Sequence, residues 1–316
     1  MFLCRGYLEV SRRLRANCFN FLLKRNMRLV QFVAEGKKSV GVEVEKDGAI
    51  VDLCKFDESV PNNMREFLEQ GTRTLEIAKR ALDSKSNLVE RSSVELKAPV
   101  NPSKVIGIGM NYVDHCEEQN APIPKEPIVF GKFPNTIQDP FGPIIYPTES
   151  NAVDWEVELA IVIGKHGTHI KETDASSYVA GYCVAHDVSA RDKQLHSNGG
   201  QWLLGKTFDT FCPIGPALVT PDQISDPHNL GIRCRVNGQT MQNSTTKNLI
   251  FKTPQIISYI SRYFSLAPGD VIVTGTPPGV GCFRKPPTYL KVGDVVECEI
   301  DEIGCIRNEV IASSKI

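Results

Sequence analysis

The stretch VDWEVELAIVIG, Val153–Gly164, contains a contradiction. From Leu159 to Ile163 it is an unbroken apolar run of strand length, the pattern of a β-strand buried on both faces. Yet Glu156 and Glu158 stand at its mouth with only Val157 between them. Alternate residues of a strand project to one face, so two carboxylates lie side by side at the entrance to a core. Such a pair is unfavourable unless something neutralises it.

Strand-like runs recur on either side. VIGIG precedes the stretch; VAGYCVAHDVS, IGPALVT, IRCRVNG, DVIVTG, DVVECEID and GCIRNEVI follow it. NYVDHCEEQ reads as a short helix. In this half only TPQIISYISRYFS reads as a long one, with Ile256, Ile257, Ile260 and Phe264 at helical spacing. Many strands with few intervening helices argue against a βαβ parallel sheet. The expected fold is α+β and mostly β, a rolled or sandwiched and largely antiparallel sheet.

Upstream, RLVQFVA and SVGVEVE read as two strands joined by a turn at EGKK, and KDGAIVDL adds a turn and a third strand. PNNMREFLEQG, with proline at its start and glycine after its end, and TRTLEIAKRALDS read as helices. The proline-bearing LKAPVNPSK closes this piece. The expected division is a leader over 1–27, a small α+β domain over 28–98 and a catalytic domain over 99–316. The leader carries Arg5, Arg12, Arg13, Arg15, Lys24 and Arg25 against one acid, Glu9. Arg-rich, acid-poor and amphipathic is the composition of a mitochondrial presequence; a basic N-terminal tail is the plainer alternative.

Composition bounds the function. The 316 residues are 41% apolar and 23% charged, as in ordinary soluble globular proteins, and the net charge of -1 supplies no basic field for nucleic acid. No apolar run approaches the roughly 20 residues of a membrane-spanning helix. The ten cysteines are scattered without a CxxC pair, which argues against a zinc ribbon or a thioredoxin motif and fits a reducing compartment.

Several groups of residues carry chemistry. Glu156 and Glu158 offer two hard oxygen ligands on one face; Asp187, closing the apolar run VAGYCVAHD, is placed to offer a third. A solvated sheet edge would explain the same glutamates. HDVSARDKQ gathers His186, Asp187, Arg191, Asp192 and Gln194 in one strand-to-helix turn, where a helix cap at Asp187 or Ser189 is the plainer reading; the planar fork of Arg191 suits a substrate carboxylate. His115 and Glu118 are i, i+3 neighbours on a helix, a general-base pair or ordinary helix surface. Lys206, after an apolar stretch, suits an oxyanion or a carboxylate. Thr274, Gly275 and Thr276 offer hydroxyl and N–H donors to a small anion, in a loop lacking the GK[ST] of a P-loop. GIG at Gly107–Gly109 lacks the third glycine of a dinucleotide fingerprint.

Five of these motifs, GMNYVDH, DWEVELAIVIG, AHDVSARD, GKTFDTFCPIGP and GDVIVTGTPPGVG, stand in the order and spacing of the fumarylacetoacetate hydrolase family, which the chain resembles over about residues 104 to 310. The leader and small N-terminal piece are most similar to its mitochondrial domain-containing protein 2 group. The resemblance implies a mixed β-roll and a homodimer using Mg²⁺ or Mn²⁺. Its ligand pattern falls on Glu156, Glu158 and Asp187, its hydrolytic pair on His115 and Glu118, and its site lysine on Lys206. Its substrate contacts fall on Arg191, Gln194 and Thr276. Where several hydrolase members have an arginine before the NY pair, this chain has Met110.

A metal chelated by a 2-oxo acid stabilises an enolate. Three outcomes follow: hydrolysis of acylpyruvates through a water held by the His–Glu pair, decarboxylation of oxaloacetate, or interconversion of its enol and keto forms. The last asks least of the site. With a mitochondrial leader, the expected function is a tautomerase acting on oxaloacetate in the matrix, with no nucleic acid or membrane partner.

Overall fold

A computed structural model of the chain describes residues 27–313. The presequence expected over 1–27 lies, Met27 apart, outside the described residues. The architecture is α+β and mostly strand. One large mixed sheet runs in the order Leu88–Val89, Ile50–Asp52, Lys37–Glu43, Arg28–Ala34, Cys212–Val219, Val179–His186, Val157–Ile163, Val271–Val273, Val105–Gly109 and Ile128–Lys132. Arg28 pairs with Val219, so the strands of the 28–98 segment continue the sheet of the larger segment.

The strand Val157–Ile163 is buried at every position. Its side chains alternate between two cores. Val157, Leu159, Ile161 and Ile163 pack with Ile232, Cys234, Ile300, Ile306 and the helix Thr253–Ile260. Ala160 and Val162 pack toward Phe67, Ile77 and Ala81 of the helices Met64–Glu69 and Thr72–Ser84. Burying one Leu, Ile or Phe is worth about 1.5–3 kcal/mol, so this strand is the structural axis of the molecule.

A second sheet, Gln239–Thr245, Gly231–Val236, Val295–Ile300, Gly304–Ala312 and Ile144–Tyr146, lies over the first core. Val295–Ile300 alternates buried and half-buried positions, as a sheet solvated on one face requires. Its edge strand Gln239–Thr245 (QTMQNST) is polar and escapes recognition by apolar alternation. Two helix ends differ from the sequence expectation. The helix over TPQIISYISRYFS stops at Ile260, where the Ser261 hydroxyl and carbonyl accept the Ile170 and His169 N–H groups of a crossing loop. The helix Met64–Glu69 begins not at Pro61 but at Asn63, whose side chain accepts the Glu66 N–H at 2.9 Å.

Candidate active site

Strand register assembles the site. Val157 lies opposite His186 and Glu158 opposite Ala185. The next residue, Asp187, donates its N–H to the Glu156 carbonyl at 2.9 Å, and the ladder thus delivers its carboxylate to the glutamates. Ligand oxygens of Glu156, Glu158 and Asp187 all lie within 4.8 Å of one another. The three residues are 6%, 2% and 0% exposed, which excludes the solvated-edge reading. Neither Asp187 nor Ser189 caps the helix Arg191–Leu195, whose N-cap is Ala190 without a side-chain bond.

On the other flank, Ala160 pairs with Val273 and the Thr274 N–H donates to Leu159 O at 3.1 Å. Gly275 therefore meets Glu158, donating its N–H to Oε2 at 2.6 Å. Its φ of +100°, with Asn111 and the Ile108 carbonyl against the position of a Cβ, requires glycine. The anion loop expected over Thr274–Thr276 is thus turned inward. The Thr274 hydroxyl donates to Leu159 O and that of Thr276 to Val157 O, while Gln242 donates to the Thr276 hydroxyl at 2.8 Å.

Three cations face the carboxylates. Lys206 donates to Glu156 at 2.7 Å and Asp187 at 2.6 Å, and its Nζ lies 5.0 Å from the centroid of the Phe130 ring. Burial pulls this ammonium toward neutrality, but Asp187 and Glu156 outweigh it and raise its pKa. Lys132 donates to Asp187 at 2.6 Å. Arg191 pairs with Glu156 through Nη2 at 2.6 Å, with Asp154 through Nε at 2.8 Å, and with Gln194 Oε1 through Nη1 at 2.8 Å. Its fork, expected to bind a substrate carboxylate, faces these three side chains, and the residue also lines the pocket. Gln194, whose oxygen it holds, lines the pocket.

Burial raises the Glu156 carboxyl, but Arg191 and Lys206 override it and bring the pKa to about 2. Glu158 has no ion pair of its own among the described residues. Burial, then Asp187 and Glu156, push its pKa well up, opposed by Lys206 and the Gly275 N–H. Three buried carboxylates, one lacking an ion pair, form the donor set that a hard divalent cation takes. These residues fit the metal that the motifs imply.

His115 Nδ1 lies 2.9 Å from Glu118 Oε2, and Glu118 Oε1 accepts the Gly279 N–H at 2.9 Å. His115, Glu156, Glu158, Gln194, Lys206 and Thr276 share the lining of one pocket of about 80 Å³. Phe130 and Trp202 wall it, packed at 5.5 Å between ring centroids. The glycines of VIGIG make room for those rings: a Cβ on Gly107 would lie 2.1 Å from Phe130, and one on Gly109 2.4 Å from Trp202.

Four participants escape sequence reasoning: Lys132, Asp154, Gln119 and Gln242. Two left a signal. Asp154 extends the alternation 154, 156, 158, and its carboxylate accepts from Arg191, Gly281 N and Cys282 N. Lys132 ends an apolar strand, IVFGK, as an otherwise unexplained charge.

A family model described as fumarylacetoacetate (FAA) hydrolase C-terminal matches residues 104–311. The chain is 58% identical over 314 residues to oxaloacetate tautomerase fahd2, mitochondrial, of Xenopus laevis, covering 96% of this chain and 98% of that one. It is 55% identical over 301 residues to oxaloacetate tautomerase FAHD2A, mitochondrial, of Homo sapiens, covering 94% and 96%. Among solved structures, fumarylacetoacetate hydrolase from psychrophilic Exiguobacterium antarcticum matches with a TM-score of 0.79 at 35% identity, over 90% of this chain and 99% of that one.

Proposed function

Because the chain belongs to the fumarylacetoacetate hydrolase family, we propose that it is a mitochondrial oxaloacetate tautomerase that uses Mg²⁺, with Mn²⁺ as a substitute. The observation that carries this reading is the burial of Glu156, Glu158 and Asp187 within 4.8 Å of one another, against a pocket that also holds Lys206. The names of the Xenopus and human relatives support the choice of substrate and compartment. So does the basic leader.

In the reaction, the enol hydroxyl loses a proton and the adjacent carbon gains one; no water is consumed. Glu156, Glu158 and Asp187 would hold the Mg²⁺, which when bound would supply Lewis-acid stabilisation of developing enolate charge. An ammonium has three N–H donors, of which Lys206 gives two to Glu156 and Asp187. The third is available to the same enolate oxygen. The Gln194 amide holds a substrate carboxylate, and Phe130 and Trp202 exclude water from the reacting carbon. The exposed apolar Ile128, Val129, Phe133, Leu195 and Leu204, on and around the edge strand Ile128–Lys132, support a homodimer through that face. The matrix is the compartment to which such a leader directs a chain.

One observation favours a second reading, hydrolysis of acylpyruvates: the His115–Glu118 pair is formed. The test offers the Mg²⁺-loaded protein enol-oxaloacetate and acetylpyruvate separately. Accelerated decay of the enol absorbance with little pyruvate release from acetylpyruvate is expected. Rapid cleavage with enol decay left at its uncatalysed rate would replace the tautomerase by the hydrolase.

A further inference from the structure

The His–Glu pair is formed, yet its working nitrogen is covered. Glu118 occupies His115 Nδ1, so Nε2 is the ring atom left to take a proton from water. Gln119 Nε2 sits 2.8 Å from it. The same amide nitrogen lies 3.4 Å from Met110 Sδ. An amide NH₂ has two protons and no acceptor capacity, whereas thioether sulfur only accepts. Both contacts are satisfied together when the NH₂ group donates one proton to each. The His115 ring then carries its proton on Nδ1, donated to Glu118, and its Nε2 lone pair is occupied. Gln119 is four residues beyond His115, one helical turn on and on the same face, and it also lines the pocket. Met110, in the left-handed region at φ 50°, braces the amide from the other side.

We propose that Gln119 determines reaction specificity: by capping His115 Nε2 it keeps the His115–Glu118 pair from activating water, and the chain holds a latent acylpyruvate hydrolase that this side chain keeps off. This rests on the tautomerase reading of the same site. In the suppressed reaction, His115 Nε2 takes a proton from water while the water oxygen bonds C4 of acetylpyruvate. The C3–C4 bond then breaks, its electron pair passes to C3 as the enolate of pyruvate, and C3 recovers the proton from His115. Acetylpyruvate and water become acetate and pyruvate, with nothing oxidised or reduced. Tautomerisation needs no attacking water, so the cap leaves that reaction its route.

The test is Gln119→Leu in the full chain, which keeps the bulk and removes the donors. Pyruvate release from acetylpyruvate and decay of enol-oxaloacetate are measured with Mg²⁺. The ratio of cleavage to tautomerisation is expected to rise at least about tenfold, toward the roughly 10²–10⁴ that a positioned general base contributes. The rise must vanish in Gln119→Leu/His115→Ala. A readout independent of the metal is the ¹⁵N spectrum of the His115 ring without Mg²⁺. A single Nδ1–H tautomer is expected in the wild type, and a mixture in the variant. An unchanged ratio in a folded variant overturns the proposal, as does a gain that survives loss of His115. Should Gln119→Leu fail to fold, Gln119→Met is judged by the same criteria. A wild type that leaves enol decay unaccelerated refutes the tautomerase reading instead, and the cap then stands or falls on the gain in acetylpyruvate cleavage alone.

Discussion

Lys132 Nζ donates to Asp187 Oδ1 at 2.6 Å, and neither side chain is exposed to solvent. The pair joins the last residue of the edge strand Ile128–Lys132 to the acid that follows Val179–His186, and it orients one of the three candidate ligands. Removing one partner of a buried ion pair costs about 3–5 kcal/mol when the other charge is left without compensation. Asp187 keeps Lys206 at 2.6 Å, so Lys132→Met is expected to lose stability without metal, but less than that full cost. Restoration of part of it by saturating Mg²⁺ in thermal melts would show the ion compensating Asp187. A variant as stable as the wild type would mean that Asp187 does not depend on Lys132.

Among the described residues, Glu158 differs from its neighbours in lacking an ion pair. Glu158→Gln removes a like charge beside Glu156 and Asp187, and its amide can still accept from Gly275. The metal-free variant is expected to melt no lower than the wild type, while the Mg²⁺-induced rise in Tm disappears. A wild-type response to Mg²⁺ would remove Glu158 from the ligand set.

Lys206 touches two of the candidate ligands and faces the pocket. Loss of one donor aimed at developing oxyanion charge reduces rate on the order of 10²–10³-fold. Lys206→Ala is expected to slow enol-to-keto conversion by about that factor at saturating Mg²⁺, measured by enol absorbance. A loss below about threefold would assign Lys206 to charge neutralisation rather than to the chemistry.

Gln242 is buried and holds three groups: it accepts the Val157 N–H and donates to the Thr276 hydroxyl and the Pro277 carbonyl. Each buried polar group left unpaired costs about 1–3 kcal/mol. Gln242→Leu is expected to destabilise by at least about 2 kcal/mol in urea unfolding and to raise KM as Thr276 loosens. An unchanged KM in a folded variant would separate Thr276 from substrate binding.

His228 Nε2 accepts the Thr253 N–H at 3.1 Å at the start of the helix Thr253–Ile260. Burial, then Lys252, lower its pKa below the ordinary 6.5. The unfolded chain therefore takes up this proton first, and stability falls as pH drops below about 6.5. Protonation also removes the acceptor that caps Thr253. His228→Gln, which keeps an acceptor, is expected to flatten the fall in Tm between about pH 7 and pH 5. A slope equal to that of the wild type would place the acid sensitivity elsewhere.

Much of the fold is written in local pattern. The apolar runs at 157–163, 179–186 and 295–300 all become strands, and TRTLEIAKRALDS is helical from Thr72 to Ser84. Period and length carry that information because burial of a strand or a helix face is a property of consecutive side chains. The strand Gln239–Thr245 escapes because it is a polar edge, stabilised by its partner rather than by its own apolar face. The residue types of the site were legible too: carboxylates at i, i+2, a histidine and glutamate at i, i+3, and a lysine beyond an apolar run.

Sequence by itself determined which acids and bases stand at strand ends and which share a face. Tertiary structure decided which charge each one meets. Arg191 meets Asp154 and Glu156 because Val153 and Asp154 pair with Ala190 and Ser189. Lys132, paired with Val105 on the edge strand, meets Asp187 and the Val188 carbonyl through its side chain, a contact between segments 55 residues apart. Side-chain period is local, but pairing partner and register are set between distant segments by the shared burial of whole strands. In a core of low dielectric, that register fixes the neighbours on which the charge state of each buried group depends.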